Sequence, residues 1–192
     1  LLPLNVRSVP CRQCQLMTLT PDQTSEFHSR GFIVLKGFMA AEAIRTIGEW
    51  LDGLGAAPPD AGPEARYFEK SPVTGRNMLV RVEHFLGPAN PGISGVLLSP
   101  AVLGAAAELL GEPAVLFKEK VNYKLPGCRA DKLHQDQSAG WNAYSDFFIT
   151  MAVAVDANRR DNAALSFLHS GNYKRSLMTP EWQPLTQDDP PY

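Results

Sequence analysis

His134 and Asp136 stand one residue apart in the stretch Lys132-Leu133-His134-Gln135-Asp136-Gln137. If this stretch is a strand, side chains two apart point to the same face. An imidazole nitrogen and a carboxylate oxygen would then converge on one point. That donor pair suits a divalent first-row metal. It is two-thirds of the two-histidine, one-carboxylate set that holds non-haem Fe(II) and leaves positions open for oxygen chemistry. A His-x-Asp motif is short, and it also occurs as two solvated polar groups on a surface strand. Its neighbours therefore matter. Leu116 to Tyr123 before it and Phe147 to Val155 after it are both rich in apolar and aromatic residues, as strands are.

Other residues could line such a site. Lys118, Lys120 and Asn122 alternate along one predicted strand and would share a face. A face that lines a cavity would offer Lys120 and Asn122 to an anionic ligand; a face toward solvent would be a plain polar stripe. Trp141 and Tyr144 follow the motif in a predicted loop, as an aromatic wall over a substrate or as a clamp on the loop itself. Arg81 and Glu83 share one face of an earlier predicted strand, where Arg81 either reaches a substrate opening or pairs with Glu83. Thr150 and Ala152 lie on the strand after the motif, and His28 and His84 read as structural or surface residues. Cys11-Arg-Gln-Cys14 has a CxxC spacing but no second Cys/His pair to complete a zinc site. With Cys128 the cysteine count is odd, which argues against a disulfide scaffold.

The 192 residues suffice for one domain with its own core, and the 44% apolar and 20% charged fractions are those of a globular chain. The formal net charge of −2, with no basic block, points away from nucleic acid. No uninterrupted apolar run approaches the roughly 18 residues of a membrane span. The N-terminus lacks a basic segment before its apolar start, so a cytoplasmic location is expected.

Residues 1–16 read as a poorly ordered extension, and residues 17–192 as the domain. Thr20-Pro21-Asp22-Gln23 is a capping box with Pro at the first helical position, predicting a helix to about Ser29 that ends at Gly31. Gly31 to Leu35 reads as a short buried strand. Ala40 to Leu54 carries a helical apolar stripe, residues 55–63 a Pro/Gly loop, and Asn77 to Phe85 a partly alternating strand. Ser99-Pro100 predicts the cap of a further helix ending near Leu110-Gly111. Beyond Gly111, strand-like segments at 114–124, 132–137, 147–156 and 164–168 follow one another. A helical entry over 17–111 and a strand-rich part over 112–192 predict an α+β fold with a jelly-roll or cupin-type double sheet.

Four stretches, spanning about residues 18–178, together resemble the phytanoyl-CoA dioxygenase family of Fe(II)/2-oxoglutarate oxygenases. The first is the entry from Leu19-Thr20 through Phe27, Gly31-Phe32 and Gly37-Phe38. The second is Leu116 through Tyr123 with its Pro126-Gly127 turn. The third is Leu133-His134-Gln135-Asp136 with Gly140-Trp141. The fourth is Asn162-Ala163-Ala164-Leu165 with Ser170-Gly171-Asn172-Tyr173-Lys174. The resemblance implies a double-stranded β-helix with N-terminal helices packed on one sheet. It implies His134 and Asp136 as Fe(II) ligands, 2-oxoglutarate as cosubstrate, dioxygen, and hydroxylation of a C–H bond in a small organic molecule with release of succinate. Lys120 or Asn122 would contact 2-oxoglutarate or substrate. The family also needs a second metal His and, beyond it, an Arg whose planar fork pairs with the far carboxylate of 2-oxoglutarate. His169 is the one His after Asp136, in a stretch where the family does not place its ligand. The loop-like Gln187 to Tyr192 ending predicts a β-helix lacking its C-terminal strands. The rival expectations are a cupin-like fragment or pseudoenzyme with a binding role only, and a metal-binding cupin with non-oxidative chemistry.

Overall fold

The computed structural model describes residues 18–131 and 133–168, the Ser138 side chain excepted. Helix α1 (Pro21–Arg30) begins as its sequence demands. The Thr20 side chain accepts from the Gln23 backbone N–H at 3.2 Å, and the Gln23 side chain accepts from the Thr20 N–H at 2.8 Å. Gly31 closes the helix at φ 85°, a left-handed position that a Cβ disfavours. Helix α2 (Ala41–Ala56) turns Ile47 and Leu54 inward. Helices α3 (Pro91–Leu97) and α4 (Pro100–Leu110) both carry Pro in the first turn. Ser99 is the N-cap of α4, but its side chain makes no capping bond.

Three strands, β1 (Ala65–Lys70), β2 (Asn77–Glu83) and β3 (Lys120–Asn122), form an antiparallel sheet in that order. Tyr67 pairs with Arg81 while Phe68 pairs with Leu79, so Val80 is an extra residue on β2. This bulge puts Leu79 and Val82, three apart, on the same buried side. It explains why the alternation of β2 is only partial in sequence. The carbonyl of Val80 is not lost to the fold, since it accepts from the Tyr123 N–H at 2.9 Å.

One core joins α2, β2 and α3 through Ile47, Leu54, Leu79, Val82, Phe85 and Ile93. A second joins α1 and α4 through Leu19, Phe27, Ala105 and Leu109. The segment 147–155 crosses both: Ile149 packs on the second core, Val153 and Val155 on the first. Pro91–Leu110 contains a window of mean hydropathy 1.8, apolar enough for a membrane span. It is instead two helices of 7 and 11 residues that meet at Leu98 and Ser99. At about 1.5 Å per residue, neither would cross roughly 30 Å of hydrocarbon.

Several expectations are corrected. Residues 31–35 are not a strand. Ile33 and Leu35 pack on the second core while Val34 is 69% exposed, so alternation is present without a ladder. Of 114–124, only Lys120–Asn122 is strand. Residues 133–137, 147–156 and 164–168 enter no ladder among the described residues, and Asp136 opens a 3₁₀ turn (Asp136–Ala139). Apolar alternation favours burial of one side, but a strand also requires a neighbour to accept its hydrogen bonds. Strand β1 and helix α3 were not anticipated. The described residues are thus α+β, with a small antiparallel sheet and helices on one of its faces. Lys132, Cys11, Cys14 and His169 lie outside the described residues.

Candidate metal centre

Two anchors deliver the chain to His134. Ser71, 4% exposed, donates its hydroxyl to the Gly127 carbonyl at 2.7 Å and accepts from the N–H groups of Val73 and Thr74. The Pro126-Gly127 turn is therefore fastened to the β1–β2 connection. Arg129 then forms a two-pronged bond to Glu69 on β1, at 2.7 and 3.2 Å, and also meets Asp131 at 3.0 Å. Lys124 hydrogen-bonds the other oxygen of Asp131. Burial raises the Asp131 pKa, but Lys124, Arg129 and His134 outweigh it, and the net shift is downward. The Glu69 hydrogen bond pushes the Arg129 pKa up.

From there the backbone is extended through Gln135, at φ −104° and ψ 125°, before the 3₁₀ turn at Asp136. The predicted convergence occurs without a full strand. His134 Nε2 lies 3.2 Å from Asp136 Oδ1, with both side chains about one-third exposed. Two cis ligands bound about 2.1 Å from an octahedral ion stand about 3.0 Å apart. The pair therefore fits two adjacent positions of one metal ion. Asp136 Oδ2 accepts from the Thr150 hydroxyl at 3.0 Å. Among the described residues, no group of three His, Cys, Asp or Glu side chains could hold a metal.

The segments that carry Asp136 and Thr150 also carry an aromatic cluster. The Phe117 ring lies 5.5 Å from Trp141, 5.3 Å from Tyr144 and 4.9 Å from Phe148, centre to centre. Trp141 and Phe148 also meet edge to face at 5.5 Å. Gly140, at φ 93°, makes the sharp break between the turn of Asp136 and that of Trp141. Gln137 donates to the Asp146 carbonyl at 3.0 Å and closes the loop. Phe117 and Phe148 belong to the cluster yet had no role in the sequence expectations.

The sheet register gathers the charged candidates. Tyr67, Arg81 and Asn122 are cross-strand neighbours, as are Ala65, Glu83 and Lys120. Val82 and Val121 pair between them and face the helices, so the polar row covers the other side. Glu83 is a hub there: Lys118 Nζ lies at 3.0 Å, Arg81 Nε at 3.3 Å, and the Tyr67 hydroxyl donates at 3.4 Å. Burial raises the Glu83 pKa, but Lys118 and then Arg81 reverse it, so the carboxyl sits below its ordinary value. Arg81 also lies over the Tyr67 ring at 4.1 Å. Lys120 and Asn122 are exposed on this face. The structure thus brings His134 together with Asp136, and Trp141 with Tyr144, and it pairs Arg81 with Glu83. Thr150 was noted in sequence only for its strand position.

Comparison with known proteins places the chain in a family. The family model for phytanoyl-CoA dioxygenase matches residues 27–189. A 2-aminoethylphosphonate dioxygenase from the uncultured bacterium HF130_AEPn_1 is 37% identical over 158 residues, 82% of this chain and 60% of that protein. A methylphosphonate hydroxylase from Gimesia maris is 34% identical over 150 residues, 78% of this chain and 56% of that protein. A probable alpha-ketoglutarate-dependent hypophosphite dioxygenase from Stutzerimonas stutzeri is 28% identical over 160 residues, 80% and 53% of the two chains. The chain spans little more than half the length of these curated relatives. No solved structure matches it. With residues 27–189 matched by one family model and 82% of the chain aligned to a relative at 37% identity, the chain belongs to the phytanoyl-CoA dioxygenase family.

Proposed function

We propose that this chain carries the metal- and cosubstrate-binding part of a non-haem Fe(II)/2-oxoglutarate-dependent dioxygenase acting on a small phosphonate. The observation that carries the reading is the 3.2 Å approach of His134 Nε2 to Asp136 Oδ1. When bound, Fe(II) with 2-oxoglutarate and dioxygen supplies the oxidising power to hydroxylate a C–H bond, and 2-oxoglutarate leaves as succinate and CO₂. His134 and Asp136 hold the metal. Lys120 and Asn122 take the cosubstrate carboxylate. Phe117, Trp141, Tyr144 and Phe148 offer an aromatic surface against which the carbon skeleton of a small substrate packs. Arg81, with 42% of its side chain exposed beside its ion pair with Glu83, remains available to an anionic substrate. On this reading the segments around 133–135 and 147–155 belong to a double-stranded β-helix.

The phosphonate assignment is supported by the names of the relatives at 37% and 34% identity. It is also supported by the three cations, Arg81, Lys118 and Lys120, gathered about the single carboxylate of Glu83. The test is succinate formation from 2-oxoglutarate with Fe(II) and air, with methylphosphonate or 2-aminoethylphosphonate added. Succinate released in step with loss of the phosphonate, and abolished in His134→Ala, is the expected outcome. Release that ignores both the phosphonate and His134→Ala overturns it. A second reading is a binding role without turnover. It predicts metal and 2-oxoglutarate binding with no succinate.

A further inference from the structure

We infer that Thr150 is a positioning residue that keeps Asp136 a one-oxygen metal ligand. The inference rests on the metal reading of His134 and Asp136. A carboxylate can bind a metal through one oxygen or two. With two, it occupies a further coordination position that cosubstrate or oxygen needs. Here the two oxygens of Asp136 have separate tasks. Oδ1 faces His134 Nε2 at 3.2 Å, and Oδ2 accepts from the Thr150 hydroxyl at 3.0 Å. A hydrogen bond to Oδ2 withdraws that oxygen from the metal and fixes the rotation of the carboxylate about its Cβ–Cγ bond.

The fold explains why Thr150 is there. Ile149 packs on Leu19, Phe27, Ala105 and Leu109, while Val153 and Val155 pack on the core of α2 and β2. Residues of even number therefore turn the other way: Phe148 goes to the Phe117 and Trp141 rings, and Thr150 to Asp136. The alternation of a strand persists here without a ladder. The carboxylate is thus tied, across 14 positions of chain, to a segment anchored on two helical cores. Oδ2 has a donor whose position does not depend on the Asp136 loop.

The experiment is an anaerobic titration of the 192-residue chain with Co(II), a coloured stand-in for Fe(II). Its readouts are the visible absorption bands and the dissociation constant. Thr150→Val keeps the shape but removes the donor; Thr150→Ser restores the donor with a smaller side chain. Thr150→Val should weaken Co(II) binding about 10-fold, the lower end for loss of a group that orients a metal ligand. It should also alter the band pattern as the carboxylate turns to bind through two oxygens. Thr150→Ser should return both toward the wild type. An unchanged constant and spectrum in Thr150→Val, with His134→Ala binding lost, overturns the inference and leaves the metal reading intact. No His134-dependent Co(II) binding in the wild type overturns both. Weaker binding in Thr150→Val that Thr150→Ser does not restore also overturns the inference, because packing alone then explains the loss.

Discussion

Replacing Ser71 by Ala removes a hydroxyl that serves three backbone groups at once. It donates to Gly127 O at 2.7 Å and accepts from Val73 N at 3.2 Å and Thr74 N at 3.0 Å, in a site that is 4% exposed. One such bond contributes about 1 kcal/mol net, and losing three part-buried ones together brings the loss to about 2 kcal/mol. For a chain of this size that lowers Tm by about 4–8 °C. Gly127→Ala perturbs the same contact from the other side. Gly127 has φ 85°, where a Cβ costs about 1–2 kcal/mol. That Cβ would also lie 3.1 Å from Ser71 Oγ, so the hydroxyl must give way and its own bonds weaken. In the double variant the hydroxyl is gone and only the backbone strain remains. The double loss should therefore fall short of the sum of the single losses by more than about 0.5 kcal/mol. Urea unfolding followed by circular dichroism, with thermal melts in parallel, measures all four proteins. Additivity within about 0.5 kcal/mol, or a Ser71→Ala melt within about 1 °C of the wild type, would refute the argument that Ser71 fastens this turn.

Val82→Ala truncates a side chain of 0% exposure in the first core, and should lower the unfolding free energy from urea titration by about 2–4 kcal/mol. Tyr123→Phe loses the hydroxyl that donates to the Leu51 carbonyl at 2.8 Å, a loss of about 1 kcal/mol by the same measurement. Burial raises the Tyr123 pKa, so its contribution is present below the ordinary tyrosine value near 10 and declines as pH climbs through the higher folded value. Asp131 behaves oppositely. Its folded pKa is depressed, so its stabilisation is present above the unfolded value near 3.9 and is lost as pH falls through the lower folded one. Asp131→Asn should flatten the acid limb of a stability-against-pH profile; an unaltered limb would mean that Lys124 and Arg129 do not stabilise the charged form.

What could be read from sequence was local. The Thr20 box depends on four consecutive residues, and α1 begins where they place it. His134 and Asp136 needed only one extended residue between them to converge, so their meeting survives the absence of a strand. What could not be read depends on distant partners. The bulge at Val80 hides the buried side of β2, because Leu79 and Val82 then share a face at a spacing of three. Residues 147–155 have the alternation of a strand, but a ladder is a property of two segments and pattern reports only one. Arg81 had two open fates, and the choice for Glu83 is made by the cross-strand placement of Tyr67 and the approach of Lys118. The Thr150 contact with Asp136 has no signature in spacing. The alternation of Ile149, Val153 and Val155 could have pointed to it, by assigning Thr150 to the side away from the core.

The most direct test is an anaerobic titration of the chain with Fe(II) and 2-oxoglutarate, following the visible metal-to-cosubstrate charge-transfer band, with His134→Ala and Asp136→Ala alongside. A band that saturates in the wild type and is lost in both variants is the predicted result. No band in the wild type, or a band undiminished in His134→Ala, would contradict the assignment of His134 and Asp136 as the metal ligands.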